Sequence, residues 1–452
     1  MVINMSHKFY GGVHPSGFKS LTCNKGIKAF IPKRVVIPLS QHVGAPAQPL
    51  VKTGDVVRAG EVIGRASAFI SSPVHASISG KVAKIAYCQT PVSARVLAVT
   101  IESDEEGRDF EITERKDAVS LPGEEILDII KESGIVGLGG AAFPTHVKLS
   151  PPKGKSIDAV ILNCAECEPY LTCDQRLIVE NPQEVLKGLG VIVKVLGVNK
   201  AYIAIEDNKP EAIRAMESAL IRDKGQGSRG KGQGSWAKIV VLKTKYPQGA
   251  EKQLIKAVLN RVVPAGGLPM DVGCIVQNVG TAFAVYEAVY LGKPLIERVI
   301  TITGPCVKEP MNVRVRIGTL LSDLVDFFGG FIKEPKKVIF GGPKMGVAQY
   351  TLDVPIIKGS SGVLFFSQED VRAQKEGPCI RCGKCIEICP MRLAPTSIMN
   401  RVKKEDVLES REFGILHCFE CGACAYICPA KIPLLDYMKL GKARLDVNKA
   451  NI

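Results

Sequence analysis

A doubled cysteine run near the C-terminus constrains this chain more than any other feature. Cys379, Cys382, Cys385 and Cys389 precede Pro390, and Cys418, Cys421, Cys424 and Cys428 precede Pro429. Both runs read C-x2-C-x2-C-x3-C-P, a step that lets a tight loop wrap three corners of a 4Fe–4S cubane. The proline then ends the loop and opens a helix, so the fourth cysteine serves the opposite cluster. The expected quartets are Cys379, Cys382, Cys385 with Cys428, and Cys418, Cys421, Cys424 with Cys389. Zinc sites and disulfide frameworks use cysteine pairs rather than stepped triplets, and a doubled run with both prolines does not suit them.

The 452 residues and 46% hydrophobic content suffice for about three or four domains. No apolar run with a cleavage site follows Met1, so the remaining cysteines read as reduced thiols of a cytosolic protein. No window approaches the roughly 18 apolar residues that cross a bilayer, and the apolar stretch 320–332 is broken by Asp323 and Asp326. The net charge of +14 suits an anionic membrane surface or an acidic partner. Nucleic acid is not expected, since no motif for it is visible and aromatic content is only 6%.

Residues 1–110 read as β structure, with short apolar runs at 33–38, 56–64, 80–86 and 96–102 between Gly and Pro turns. From 122 to 297 strands (157–162, 201–205, 239–242) alternate with amphipathic helices (124–132, 183–196, 210–221, 250–260). That alternation predicts an α/β core with a largely parallel sheet. The Gly/Gln/Ser/basic stretch 224–235 reads as a surface loop. Residues 298–366 read as a small β-rich domain with one helix at 320–328. Helix and loop around the clusters follow, and the charged segment after Asp436 reads as a tail.

Two loops carry further chemistry. In 137–148, Gly137, Gly139, Gly140, Ala141 and Phe143 form a glycine-rich turn whose backbone N–H groups suit a phosphate, with a helix N-terminus and Lys148 adding positive charge. Glycine loops also cap helices, so this loop alone decides nothing. After the strand at 157–162 come Asn163, Glu166, Glu168, Tyr170 and Asp174. Carboxylates at the C-terminal end of a parallel strand lie where α/β folds bind ligands. A solvated acidic turn is the plainer alternative. Cys164, Cys167 and Cys173 beside them read as pocket-lining thiols, and His75 as a core histidine.

These loops resemble the FMN- and NADH-binding segments of the flavoprotein subunit of respiratory complex I, G-R-G-G-A-G-F-P-T-G-x-K and N-A-D-E-S-E-P. The chain departs from them at Leu138, Ala142, His146, Ala165 and Cys167. The segments around Tyr246, Gly249 and Glu251 and around Asn278 and Thr281 are similar to others lining FMN in that family. The stretch 52–82 resembles a biotinyl/lipoyl barrel-sandwich, although its hairpin at 65–72 has no carrier lysine. The order of parts is similar to the RnfC family of ion-translocating electron transport complexes. A cobalamin-reductase family of metabolic compartments shares the flavoprotein and cluster parts.

The resemblance implies a multidomain α/β protein. Its parts would be a barrel-sandwich (1–110), a Rossmann-like FMN/NADH domain (111–297), a β-grasp domain (298–366) and a helical two-cluster ferredoxin domain (367–452). It implies two 4Fe–4S clusters and FMN as cofactors, NADH as substrate, and Glu166 and Glu168 as the catalytic pair orienting it. The implied partners are membrane subunits, an iron–sulfur subunit and, indirectly, ferredoxin, at the cytoplasmic face of the membrane. A relay whose α/β part is only a scaffold is the reading from a different class.

Overall fold

The computed structural model describes residues 2–3, 7–104, 110–115, 117–118, 120–225, 236–371 and 375–450. At its centre five parallel strands run in the order Val2–Ile3, Ala237–Leu242, Ala201–Glu206, Ala159–Cys164 and Cys274–Asn278. The expected helices are present as Gly123–Glu132, Pro182–Val195, Pro210–Gly225 and Glu251–Leu259. Each follows from apolar spacing: Ile126 and Ile130, four apart, are the buried residues of the first. Two further helices, Cys173–Glu180 and Val279–Leu291, were not signalled by such a pattern. The second lies against Pro182–Val195 so closely that a Cβ at Gly188 would collide with the Ala282 carbonyl, so only glycine fits there.

Two β units flank this core. One is built from two antiparallel sheets. Its four-stranded sheet runs Arg34–Pro38, Val96–Ser103, Gly80–Cys88, Val56–Val57, and its three-stranded sheet runs Gln48–Pro49, Val62–Arg65, Val74–His75. Val35, Ile37, Ile63, Val82 and Ile101 fill the space between them. The other unit is a six-stranded mixed sheet in the order Val347–Gln349, Lys337–Phe340, Gly362–Phe366, Glu297–Thr303, Met311–Arg316, Ile27–Phe30. The N-terminal thirty residues therefore do not stay together. Val2–Ile3 edges the central sheet and Ile27–Phe30 edges the mixed one.

Besides this division of the expected 1–110 unit, two expected elements differ in the structure. The helix expected over 320–328 is a 3-10 turn, Ser322–Leu324. Leu320 bridges Pro355 and the Leu321 N–H is held by Val354, which takes the first expected residues out of the helix, and only turns follow up to Gly329. The expected tail after Asp436 is instead the helix Leu434–Ala450. It packs Met438 and Leu445 against Ile398, Val402 and Ile415. The stretch 224–235 lies, past Gly225, outside the described residues. Among the described residues no helix is long and apolar enough to cross a membrane.

Candidate functional site

The glycine loop closes on itself and on the C-terminal edge of the central sheet. Gly137 N–H donates to Phe143 O at 2.8 Å, and Leu138 N–H donates to Thr281 Oγ1 at 2.9 Å. A Cβ at Gly139 would stand 2.7 Å from Asn278 Nδ2, whereas Gly140 has nothing within 4 Å. The loop is thus pinned at its base and open at Gly140 and Ala141. The helix that follows, Thr145–Lys148, is a single turn, so the expected dipole is slight. Positive charge comes from Lys148, whose Nζ lies 2.7 Å from Glu251 Oε1 across the opening. Asn163 Nδ2 donates to Gly249 O at 2.9 Å and its Oδ1 accepts from Ala165 N–H.

The acidic residues are tied into this frame. Glu166 is buried and caps the helix Cys173–Glu180, accepting from the N–H of Asp174 at 3.0 Å. Burial, reinforced by the Glu166 charge, pushes Asp174 up to about 7. Asp174 accepts in turn from Asn278 Nδ2 at 2.7 Å, and Asn278 Oδ1 caps the helix Val279–Leu291 through Gly280 N–H. Glu168 faces elsewhere. Its carboxylate accepts from the N–H groups of Lys344 (3.1 Å) and Met345 (2.9 Å) in the mixed-sheet unit, and lies 3.4 Å from Tyr246 Oη, whose one proton goes to Cys421 O at 2.8 Å. Burial raises it above the ordinary carboxylate range. Tyr170 stacks on Phe18 with centroids 4.7 Å apart. Gly137, Gly139, Gly140, Lys148, Asn163, Gly249, Glu251, Asn278 and Thr281 thus share one frame. Glu168 and Tyr170 sit at its junctions with other units.

Burial raises the thiols of Cys164, Cys167 and Cys173, Cys167 to about 12, which leaves them protonated and unreactive at neutral pH. His75 is buried and pulled down to about 3, chiefly by burial.

Three cations that no motif marks, half-buried Lys19 and buried Arg298 and Lys358, hold the loops. Lys19 Nζ donates to Glu168 O at 3.0 Å and Leu171 O at 2.5 Å. Arg298 joins Leu138 O to Lys358 O. Lys358 Nζ reaches Pro73 O at 2.8 Å and Gly134 O at 2.7 Å, tying the sandwich, the central core and the mixed sheet together. A cleft lined by His14, Lys19, Glu166, Cys167, Glu206 and Tyr246 opens beside Lys19. Its Glu206 is buried against Lys209, with one carboxylate oxygen unpartnered.

The cysteine runs fold as two copies of one loop. Arg381 and Glu420, Gly383 and Gly422, and Arg392 and Lys431 occupy equivalent positions, all with positive φ. Backbone N–H groups turn towards sulfur: Glu420 N lies 3.4 Å from Cys418 Sγ and Leu393 N lies 3.4 Å from Cys389 Sγ. Cys389 adds to the electrostatic environment of Cys418, Cys421 and Cys424, while Cys428 packs in one cluster with Cys385. These contacts agree with the crossed quartets expected from the sequence, and Cys424 also packs against the cluster of Cys385 and Cys428. Burial raises the Cys421 thiol to about 12, so metal loading there displaces protons. The second run touches the core directly, since Tyr246 Oη donates to Cys421 O at 2.8 Å.

Known families match nearly all of these parts in the same order. The RnfC barrel sandwich hybrid domain matches residues 7–106, the Nuo51 FMN-binding domain 130–287, the SLBB domain 299–348 and the 4Fe–4S dicluster domain 378–432. A component of the proton-translocating ferredoxin:NAD(+) oxidoreductase complex of Clostridium ljungdahlii is 49% identical over 90% of this chain and 87% of its own. The chain belongs to the RnfC family. The corresponding component of the Na(+)-translocating complex of Acetobacterium woodii is 43% identical over 88% of each chain. That of the ion-translocating oxidoreductase complex of Rhodobacter capsulatus is 38% identical over 97% of this chain and 83% of its own. A chain of an H2-reduced, NAD+-reducing NiFe-hydrogenase shares the fold at 19% identity and TM-score 0.53, over 73% of this chain and 64% of that one.

The frame fits FMN. The space at Gly140, where a side chain would intrude, and the Lys148 ammonium suit a phosphate, and the polar edges of Asn163, Glu251 and Asn278 suit a flavin ring system. The two thiol quartets, one with N–H groups facing the sulfurs of Cys389 and Cys418, fit two 4Fe–4S clusters.

Proposed function

We propose that this chain is the nicotinamide-facing, peripheral subunit of an ion-translocating ferredoxin:NAD(+) oxidoreductase complex, placed on the cytoplasmic face of the membrane. One observation supports this most: the Tyr246 side chain joins the acidic loop, through Glu168, to the second cysteine run, through Cys421. When bound, FMN supplies the exchange between a two-electron hydride and single electrons that the clusters can hold.

The chain's own residues do the positioning. Lys148 and the open amides of Gly139, Gly140 and Ala141 neutralise the phosphate, while Phe143 and Gly137 close the loop behind it. Thr281 fixes the loop's shape by taking the Leu138 N–H. Asn163, Gly249, Glu251 and Asn278 line the ring. Glu166 acts on NADH through the helix it caps, and Glu168, Tyr170 and Tyr246 hold the neighbouring units against that site. Cys379, Cys382, Cys385 and Cys428 bind one cluster, and Cys389, Cys418, Cys421 and Cys424 the other. We read the central parallel sheet as Rossmann-like and the mixed sheet as a β-grasp, with boundaries near residues 110, 297 and 366 apart from Val2–Ile3 and Ile27–Phe30, which join those two sheets.

Anaerobic NADH titration tests the reading. Glu166→Gln should slow flavin bleaching roughly tenfold or more while the protein keeps its iron. An unchanged rate removes Glu166 from the site, and no bleaching in the unaltered, FMN-loaded protein removes the function.

A further inference from the structure

The arm formed by residues 9–19 runs along the edge of the site and touches its parts in turn. It starts on a cysteine loop. Gly12 N–H donates to Ile388 O at 2.7 Å, next to Cys389, and Arg392 lies over the Tyr10 ring at 4.8 Å. Its middle pairs with Tyr246, three residues before Gly249 of the flavin frame. Val13 N–H donates to Tyr246 O at 2.7 Å, and Tyr246 N–H donates to Val13 O at 2.8 Å. Val13 packs in one cluster with Tyr246, Cys421 and Ala423. Its end reaches the acidic loop, where Gly17 O accepts from Tyr170 N–H at 2.7 Å and Lys19 holds Glu168 O. The narrowest point is the glycine pair. A Cβ at Gly11 would stand 2.4 Å from Ile388 O, and one at Gly12 would stand 2.6 Å from Tyr246 O. Bare backbone therefore fills the gap between the loop that carries Cys389 and Tyr246. The clamped quartet is the one set against the flavin site, while Cys379 and Cys382 of the other are exposed.

We propose that this arm is a brace that sets the gap between the flavin site and the cluster of Cys389, Cys418, Cys421 and Cys424. Gly11, Gly12 and Val13 are then positioning residues for electron transfer across that gap. Each step oxidises the flavin by one electron and reduces the cluster by one, and no bond forms or breaks between the two. Its rate depends on how closely and how rigidly the centres are held. A side chain at either glycine would act as a wedge, on the cluster side at Gly11 and on the flavin side at Gly12. The inference rests on the electron-transfer reading above, but the brace can be tested without NADH.

The step is read anaerobically on protein loaded with clusters and FMN and given one equivalent of NADH. Gly11→Ala and Gly12→Ala should each slow cluster reduction roughly tenfold or more, while flavin bleaching and iron content stay unchanged. In electron paramagnetic resonance, a nearby reduced cluster speeds the spin relaxation of the one-electron-reduced flavin, and that effect should weaken in both variants. In cluster-loaded protein without FMN, hydrogen exchange at the Tyr246 N–H should quicken in Gly12→Ala. Gly197→Ala is the control. Its φ of 64° is close to the 68° of Gly11, but nothing lies within 4 Å of its Cβ, so it carries the strain without the wedge. If either variant loses iron, Val13→Ala takes its place with the same expectation, since it empties the packing on Tyr246 and Cys421 without adding bulk. Unchanged cluster reduction, a defect confined to flavin bleaching, or equal slowing by Gly197→Ala overturns the proposal. A light flash with EDTA as donor reduces the flavin without NADH and starts the same step. Failure of NADH to bleach the flavin, with that step intact, would instead strike the functional reading.

Discussion

Two copies of one cysteine loop sit in this chain with the same backbone and opposite surroundings. In the first, Gly383 has nothing within 4 Å of a would-be Cβ; in the second, the equivalent position at Gly422 would meet Lys344 O at 3.2 Å and Leu435 at 3.4 Å. The first loop ends in solvent and the second under Tyr246. A local motif therefore sets how thiolates are presented, while segments hundreds of residues away decide what each set of thiolates faces.

The largest test removes one thiolate from each copy. Cys382→Ser and Cys421→Ser should each cost about four of about eight irons, measured by colorimetric iron assay. The second should also lower the thermal midpoint further, because its loop is part of a packed junction; equal midpoints would erase the contrast. Tyr246→Phe should destabilise that junction by about 1–3 kcal/mol, the range for a buried hydrogen bond whose acceptor is left alone. In electron paramagnetic resonance it should alter one cluster signal only. Gly422→Ala and Gly383→Ala impose similar backbone strain, so their difference isolates the surroundings. The former should cost more by about 1 kcal/mol in denaturant titration.

The smallest effect is one of pH. Burial raises the Glu168 carboxyl above 4.5 in the folded state. As pH climbs past 4.5 the unfolded chain releases this proton while the folded chain keeps it, so stability falls across that window and levels off above the folded value. Glu168→Gln should flatten the fall, read as the difference between wild-type and variant midpoints from about pH 4 to 8.

The sequence exposed what is locally encoded. The doubled run raised the expectation of crossed quartets, and apolar spacing led to four helices of the core. Val279–Leu291 escaped because ten of its residues are buried on all sides, which leaves no polar face to give a period. Leu434–Ala450 escaped because Met438 and Leu445 are separated by charges. The glycine loop was visible, but Glu168 showed only as an acid beside Glu166. Its partners, Lys344 and Met345, come from another unit, and no spacing rule reaches that far. Lys358, which no sequence pattern singled out, is buried at a three-way joint.

The divided N-terminal arm has a consequence for biosynthesis. Ile27–Phe30 pairs with Met311–Arg316, and Gly12 with Ile388, so these early segments wait for partners that are synthesised long after them. At about 5–20 residues per second, that wait is on the order of a quarter of a minute to more than a minute. Throughout it, an unpaired strand edge stays open to chaperones and to wrong partners alike.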